Sequence, residues 1–273
     1  MVLSKFANKS FFTRLLSGIV LVALMLATII PGGNILFVAN LLISVVGVYE
    51  LYKVLGIEKN SLGITGYIAV LAYYAVLYFD KKEYMMILMV VFLMCLLAQY
   101  VFMFPKYKTE QISNAIMSML YAGVMLSYLY SVREGNNGAY TVWLIFLCSW
   151  GSDTCAYVFG VAFGKHKMAP VLSPKKSIAG AAGGVGAAAL GAIYATIFSS
   201  NITMSINPVA GFAIICAVGA LISMVGDLAA SAIKRNHDIK DYGKLIPGHG
   251  GIMDRFDSVI YVAPVIWILL QIF

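Results

Sequence analysis

An apolar chain of 273 residues carries three aspartates whose placement demands a chemical reason. Asp227 interrupts the hydrophobic run LISMVGDLAASAIKR, and Asp254 and Asp257 stand three apart in DRFD. Residues three apart on a helix share a face. With Asp227 opposite, the pair would make an oxygen-rich site suited to magnesium, a hard cation that bridges carboxylates and phosphate oxygens. Ser223, Asp227 and Ser231 follow at four-residue steps and lead to Lys234 and Arg235. Such a stripe would let a phosphate meet the two cations near a membrane surface while Asp227, farther down, holds the divalent ion. Each piece alone has a plainer explanation: helix starts favour acids, which would account for DRFD, and a Ser-Asp-Lys network can serve helix packing.

The stretch from Lys234 to Asp257 is the densest in charge, with five cations and four acids. Inside it, PGHGG supplies glycines that permit tight backbone approaches and present N–H groups to phosphate oxygens. His249 among them suits either a substrate phosphate or a structural hydrogen bond. Upstream, GKHKMAPVLSPKKS at 164–177 gathers Lys165, Lys167, Lys175 and Lys176, with Ser173 and Pro174 placed to set the turn before the last pair. Those lysines read equally as a phosphate-binding patch and as a topology signal. Asp153, in WGSDTCAYVFG, lies four residues before Tyr157, so both share a helix face. A carboxylate in so apolar a segment is expected to face the bundle interior or a wet cleft.

The elements that carry these residues follow from composition. Apolar residues make up 61% of the chain and charged residues 11%, with a mean hydropathy of +0.88. A soluble domain needs about a quarter of its residues charged, so this chain must use lipid as solvent. Disorder, a collagen repeat and a disulfide-rich secreted fold are excluded. In hydrocarbon a helix satisfies its own backbone, and about 20 apolar residues span the layer. The expected fold is therefore all-α, a polytopic transmembrane helical bundle of about nine membrane helices. The first contains LLSGIVLVALMLATII, read as an uncleaved span rather than a secretion signal. The others are expected at about 35–56, 62–79, 84–104, 112–130, 140–163, 178–199, 208–233 and 257–273. Glu50, in the second, is expected near an interface or in a polar cavity rather than against lipid.

Cytoplasmic loops concentrate Lys and Arg. With the amino terminus inside, 16 of the 19 basic residues fall on the cytoplasmic side and only Lys81, Lys82 and Arg133 opposite, which puts the carboxyl terminus outside. The net charge of +7 is then chiefly a topology signal, with some attraction for membrane phospholipids; no nucleic-acid module accompanies it. Residues 1–135 are expected to form a transmembrane scaffold, and 136–273 a catalytic region with cytoplasmic loops at 164–177 and 234–257. The small residues of IAGAAGGVGAAALGAIYATIF favour close helix approach and lack the lysine and strand context of a phosphate loop. Cys95, Cys148, Cys155 and Cys216 are expected to be buried structural thiols.

The run SAIKRNHDIKDYGKLIPGHGGIMDRFDS from Ser231 to Ser258 resembles the signature of the phosphatidate cytidylyltransferases, or CDP-diacylglycerol synthases, of the bacterial type. The match includes Lys234, Arg235, Lys240, Asp241, Gly243, Pro247, Gly248, His249, Gly250, Gly251, Asp254, Arg255, Asp257 and Ser258. It extends upstream to Gly226-Asp227, Asp153-Thr154, Ala156-Tyr157, Gly160 and Ser173-Pro174-Lys175-Lys176, so it spans roughly the second half of the chain. Two positions depart from it: Ser177 stands for the usual Thr, and Ala179-Gly180 for Glu-Gly, which removes an acid.

The resemblance implies a magnesium-dependent transfer from CTP to phosphatidate, giving CDP-diacylglycerol and pyrophosphate. One or two divalent ions are expected on Asp227, Asp254 and Asp257, with a second monovalent or divalent ion as an option. Lys234 and Arg235 are expected to act with those acids. Asp153, Ser173, Lys175, Lys176, Ser231, Lys240, Asp241, His249, Gly250, Gly251, Arg255 and Ser258 are expected to bind substrate. The resemblance also implies a homodimer in the cytoplasmic (inner) membrane with its active site facing the cytoplasm. Two other functions compete: an ion or phosphate transporter, suggested by intramembrane acids beside a basic mouth, and a CTP-dependent lipid kinase.

Overall fold

A computed structural model describes residues 9–169 and 172–273; Lys5 and the side chains of residues 9–11, 174 and 175 lie outside that description. Among the described residues nine helical spans are long and apolar enough to cross a membrane. α1 (Lys9–Ile29), α2 (Gly33–Val54), α3 (Ser61–Tyr78) and α4 (Met85–Phe102) account for the first four. The fifth joins α5 (Thr109–Ser118) to α6 (Leu126–Arg133) through a π-helical stretch. A second π-helical stretch joins α7 (Gly138–Phe146) to α8 (Ser152–Phe163) and ends one residue before the helix that carries Asp153. The seventh span is α9 (Ile178–Gly184) with α10 (Ala187–Phe198), and the last two are α11 (Pro208–Asn236) and α12 (Met253–Ile272).

Two elements that carry expected site residues differ from the sequence reading. α12 starts at Met253 rather than near residue 257, so Asp254 occupies its first turn and Asp257 the next. The basic connection at 164–177 contains an antiparallel hairpin, β1 (Lys167–Ala169) with β2 (Ser173–Ser177), in which Lys167 lies opposite Ser177 and Ala169 opposite Ser173. Alternating side chains on so short a segment leave no helical period to detect.

The chain divides into two compact units. One comprises Met1–Ser127 with Ile239–Arg255. Its interior shows how lipid-embedded helices dispose of polar groups, by pairing them across helices. Tyr74 is fully buried; its hydroxyl meets Ser44 Oγ at 2.6 Å and accepts from Asn40 Nδ2 at 3.2 Å. The Tyr52 hydroxyl donates to the Ala115 carbonyl at 3.0 Å. Gly66 faces the Tyr52 ring, leaving no room for a side chain. α3 is capped by Asn60, whose Oδ1 accepts from the Gly63 N–H at 3.0 Å. Large apolar side chains such as Leu16, Met86 and Phe102 are exposed on the outer faces of these helices, as a lipid solvent permits.

The other unit comprises Tyr128–Asp238 with Phe256–Phe273. Here the small residues of the seventh span pack as expected. Gly183 lies against the Phe159 ring of α8, and Gly191 against Cys216 and the Phe212 carbonyl of α11. Cys148 and Cys216 are buried beside such contacts, but Cys95 is exposed on α4 and Cys155 half-buried on α8, correcting the expectation that all four thiols are buried. An apolar thiol on a lipid-facing surface loses nothing by exposure, which is why composition did not separate the two pairs. Asn207 opens α11 by accepting from the Val209 N–H at 2.9 Å, with Pro208 at the first helical position.

Candidate active site

Within the first unit, the glycine-rich segment is organised by two carboxylates. A tight turn forms as Ile246 and Gly250 exchange backbone hydrogen bonds of 2.8 and 3.1 Å. Gly248 and Gly250 adopt φ of 76° and 87°, a left-handed conformation that side-chained residues avoid. Asp254, 7% exposed, accepts through Oδ2 from the Tyr242 N–H at 2.8 Å and the Gly251 N–H at 2.9 Å. Glu50 of α2, 4% exposed, accepts from Ile252 N–H at 3.1 Å and Met253 N–H at 2.9 Å.

His249 is half-buried on the turn, its Nδ1 2.7 Å from Ser17 Oγ of α1, which also lies 3.0 Å from the Pro247 carbonyl. Burial first, then the neighbouring Arg255 charge and more weakly Arg14, hold its imidazole below the ordinary value of 6.5. Arg255 is half-buried, and its Nε is shielded from solvent with no hydrogen-bond partner among the described residues. Such a donor suits an anion. Lys240 and Asp241 are exposed at the start of the segment.

Within the second unit, Lys176 of β2 meets Asp227 of α11, Nζ to Oδ2, at 2.6 Å. Asp153 and Asp257 each lie in the electrostatic field of Asp227, with Lys176 opposing the first and Lys234 the second. Three carboxylates and two lysines of this unit are thus coupled electrostatically. Beside them opens a cavity of about 450 Å³, lined by Asp153, Tyr157, Lys167, Lys176, Ser177 and Met224 among others. Ser177 starts α9 by accepting from the Gly180 N–H at 3.0 Å, so its hydroxyl is used as a helix cap.

The remaining expected residues are placed as follows. Ser231 is half-buried one turn past Asp227, and Arg235 is exposed at the end of α11. Ser258 is 2% exposed, and its N–H donates to Asp257 Oδ1 at 2.8 Å. Ser173 begins β2 opposite Ala169. Lys175 lies on β2, but its side chain is outside the described residues. Among the described residues no three His, Cys, Asp or Glu side chains are grouped to hold a metal. Sequence reasoning left out Ser17 and the loop-holding role of Glu50. An acid in an apolar run flagged Glu50, but nothing local tied it to a backbone 202 residues away.

A model of the cytidylyltransferase family matches residues 12–273. A phosphatidate cytidylyltransferase of Staphylococcus saprophyticus is 31% identical over 265 residues, covering 94% of this chain and 98% of that protein. One from Staphylococcus epidermidis strain RP62A matches to the same extent, 31% over 265 residues. One from Staphylococcus aureus strain COL is 37% identical over 158 residues, 57% of each chain. With the family model matched over almost its whole length, the chain belongs to the cytidylyltransferase family.

Proposed function

We propose that this protein transfers the CMP moiety of CTP to phosphatidate, giving CDP-diacylglycerol and pyrophosphate. The observation that carries this reading is the cluster of Asp153, Asp227, Asp257 and Lys234, carried by membrane-length helices, with Lys176 of the β hairpin, beside a cavity. Charges of both signs at that depth suit a reaction between a polyanionic nucleotide and a lipid. Relatives of matching length carry the name of this enzyme.

In the proposed reaction a phosphate oxygen of phosphatidate attacks the α-phosphorus of CTP in line. The new P–O bond forms as the bond to the bridging oxygen of pyrophosphate breaks, and pyrophosphate leaves with the electron pair. A phosphate monoester has its second pKa at about 6, so the nucleophile is already ionised and needs no general base. His249, neutral at pH 7, is therefore assigned to substrate binding. Lys175, Lys176, Lys234, Arg235, Lys240 and Arg255 are assigned to triphosphate and lipid headgroup, offsetting charge that moves onto the leaving pyrophosphate. Ser173, Ser231, Asp241, Gly250, Gly251 and Ser258 complete the proposed substrate contacts.

A divalent requirement fits the cytidylyltransferase family in general, and magnesium is the proposed ion. Asp227 and Asp257 supply the hard oxygens it prefers, and Asp227 already takes a cationic partner in Lys176. Asp254 is the third proposed ligand. When bound, the ion neutralises phosphate charge and lowers the barrier to displacement.

The proposed setting is the cytoplasmic (inner) membrane, with the amino terminus and active site on the cytoplasmic side, the carboxyl terminus outside, and a homodimer as the assembly. Purified protein supplied with labelled CTP, phosphatidate and magnesium tests the chemistry. CDP-lipid with pyrophosphate supports it; release of CDP with a newly phosphorylated lipid would instead identify a lipid kinase, and no product would leave transport.

A further inference from the structure

We propose that Glu50 is a positioning residue, whose buried carboxylate reaches from α2 to hold the backbone on which α12 begins and so fixes where Asp254 stands. Its kinetic consequence rests on the cytidylyltransferase reading above; its structural consequence does not.

The first N–H groups of a helix have no partner within it. At the start of α12, the Met253 N–H and the two N–H groups just before it are shared between two side chains. Gly251 N–H goes to Asp254, from its own helix, whereas Ile252 and Met253 N–H go to the two oxygens of Glu50. A carboxylate at a helix start gains from the charge-assisted hydrogen bonds and from the positive end of the helix dipole. The geometry uses both oxygens, so no neutral side chain of the same shape replaces it: glutamine would turn an N–H₂ toward one of two donors.

Two glycines of the signature support the same reading independently. A β-carbon on Gly243 or on Gly251 would fall on the Glu50 carboxylate. At these two positions the glycine makes room for a side chain of α2, a requirement separate from any approach of phosphate to the backbone. Glu50 and Asp254 also repel each other. Two acids are brought together in a buried site that shared hydrogen bonds alone do not require, which is the pattern of a placed carboxylate rather than of filler.

The test is Glu50→Gln in the full chain, with hydrogen–deuterium exchange over residues 242–254 and turnover per folded molecule measured on the same preparation. Exchange should rise in that segment and stay unchanged in α3 and α10. Turnover should fall about 10- to 100-fold, the scale of a catalytic group displaced by about 1 Å, with the KM for phosphatidate within about twofold. Should the variant not accumulate, Gly243→Ala displaces the carboxylate without removing its charge and should show the same localised exchange. Unchanged exchange in the variant studied overturns the proposal; raised exchange with turnover within about twofold of the parent reduces Glu50 to a purely structural residue and overturns it as well. If the parent protein makes no CDP-lipid, the reaction assignment fails while the exchange result still decides the role of Glu50.

Discussion

Lys176 Nζ stands 2.6 Å from Asp227 Oδ2, tying a strand of the basic hairpin to an acid well inside α11. The pair is partly open, with 21% and 28% of the two side chains exposed, so its direct contribution to stability is small. Its position is what counts. On the proposed reading, this lysine would be free to turn to a phosphate if a metal took the acid.

Removing that lysine should therefore damage catalysis more than folding. Lys176→Met is expected to lower kcat/KM for CTP about 100-fold, on the scale of a lost charge-stabilising donor. Its detergent melting temperature should shift by no more than a few degrees. Steady-state assays at several CTP concentrations check this, and an unaltered kcat/KM would remove Lys176 from the site.

Asp257 lies in the field of Asp227, and both are proposed to share one magnesium ion. Asp257→Asn should leave maximal turnover within about 10-fold of the parent and shift the magnesium needed for half-maximal rate upward. Asp227→Asn should nearly abolish turnover at any magnesium concentration. Magnesium titrations of both variants separate the two roles; superimposable curves would argue that neither acid binds the ion.

Much of the fold was legible because hydrocarbon leaves the backbone so few options. Among the described residues, nine apolar runs became nine membrane-length helical spans, and the small residues of the seventh run packed against Phe159 and Cys216. What composition missed depends on distant partners. α12 begins at Met253 because Glu50 and Asp254 satisfy the N–H groups there, and only the folded chain brings Glu50 to them. The break between α9 and α10 at Val185 and Gly186 and the π-helical stretches before Leu126 and Ser152 leave hydropathy unchanged, so no apolar pattern marks them. In the site, the acids and lysines were readable as residue types. Which acid pairs with which lysine was not, since Lys176 and Asp227 are far apart in sequence.

Packing in the second unit makes its own prediction. A β-carbon on Gly191 would press on Cys216 Sγ at 2.5 Å and the Phe212 carbonyl at 2.7 Å. Gly191→Val should destabilise by about 1–3 kcal/mol through overpacking, visible as a lower melting temperature, with turnover per folded molecule preserved. An unchanged melt would mean that α10 and α11 do not pack this closely.

His249 sets the expected acid limb. Its imidazole is held below 6.5, so between that ordinary value and the folded one the unfolded chain binds more protons than the folded chain. Stability should accordingly fall as pH drops from about 7 through 6.5 and below, and level off once the folded imidazole is also protonated. His249→Gln, which cannot take up that proton, should flatten this part of the profile. Melting curves between pH 5 and pH 8, at roughly 0.5-unit steps, compare the two; parallel profiles would place His249 in an environment unlike the one described.

The most direct test is a product analysis. Purified protein in detergent receives phosphatidate, magnesium and CTP labelled on its α-phosphate. The label should appear in a lipid that releases CMP on hydrolysis, with one pyrophosphate formed per lipid and no CDP. Label recovered as CDP beside an unlabelled, newly phosphorylated lipid, or recovered entirely in unchanged CTP, would contradict cytidylyl transfer to phosphatidate.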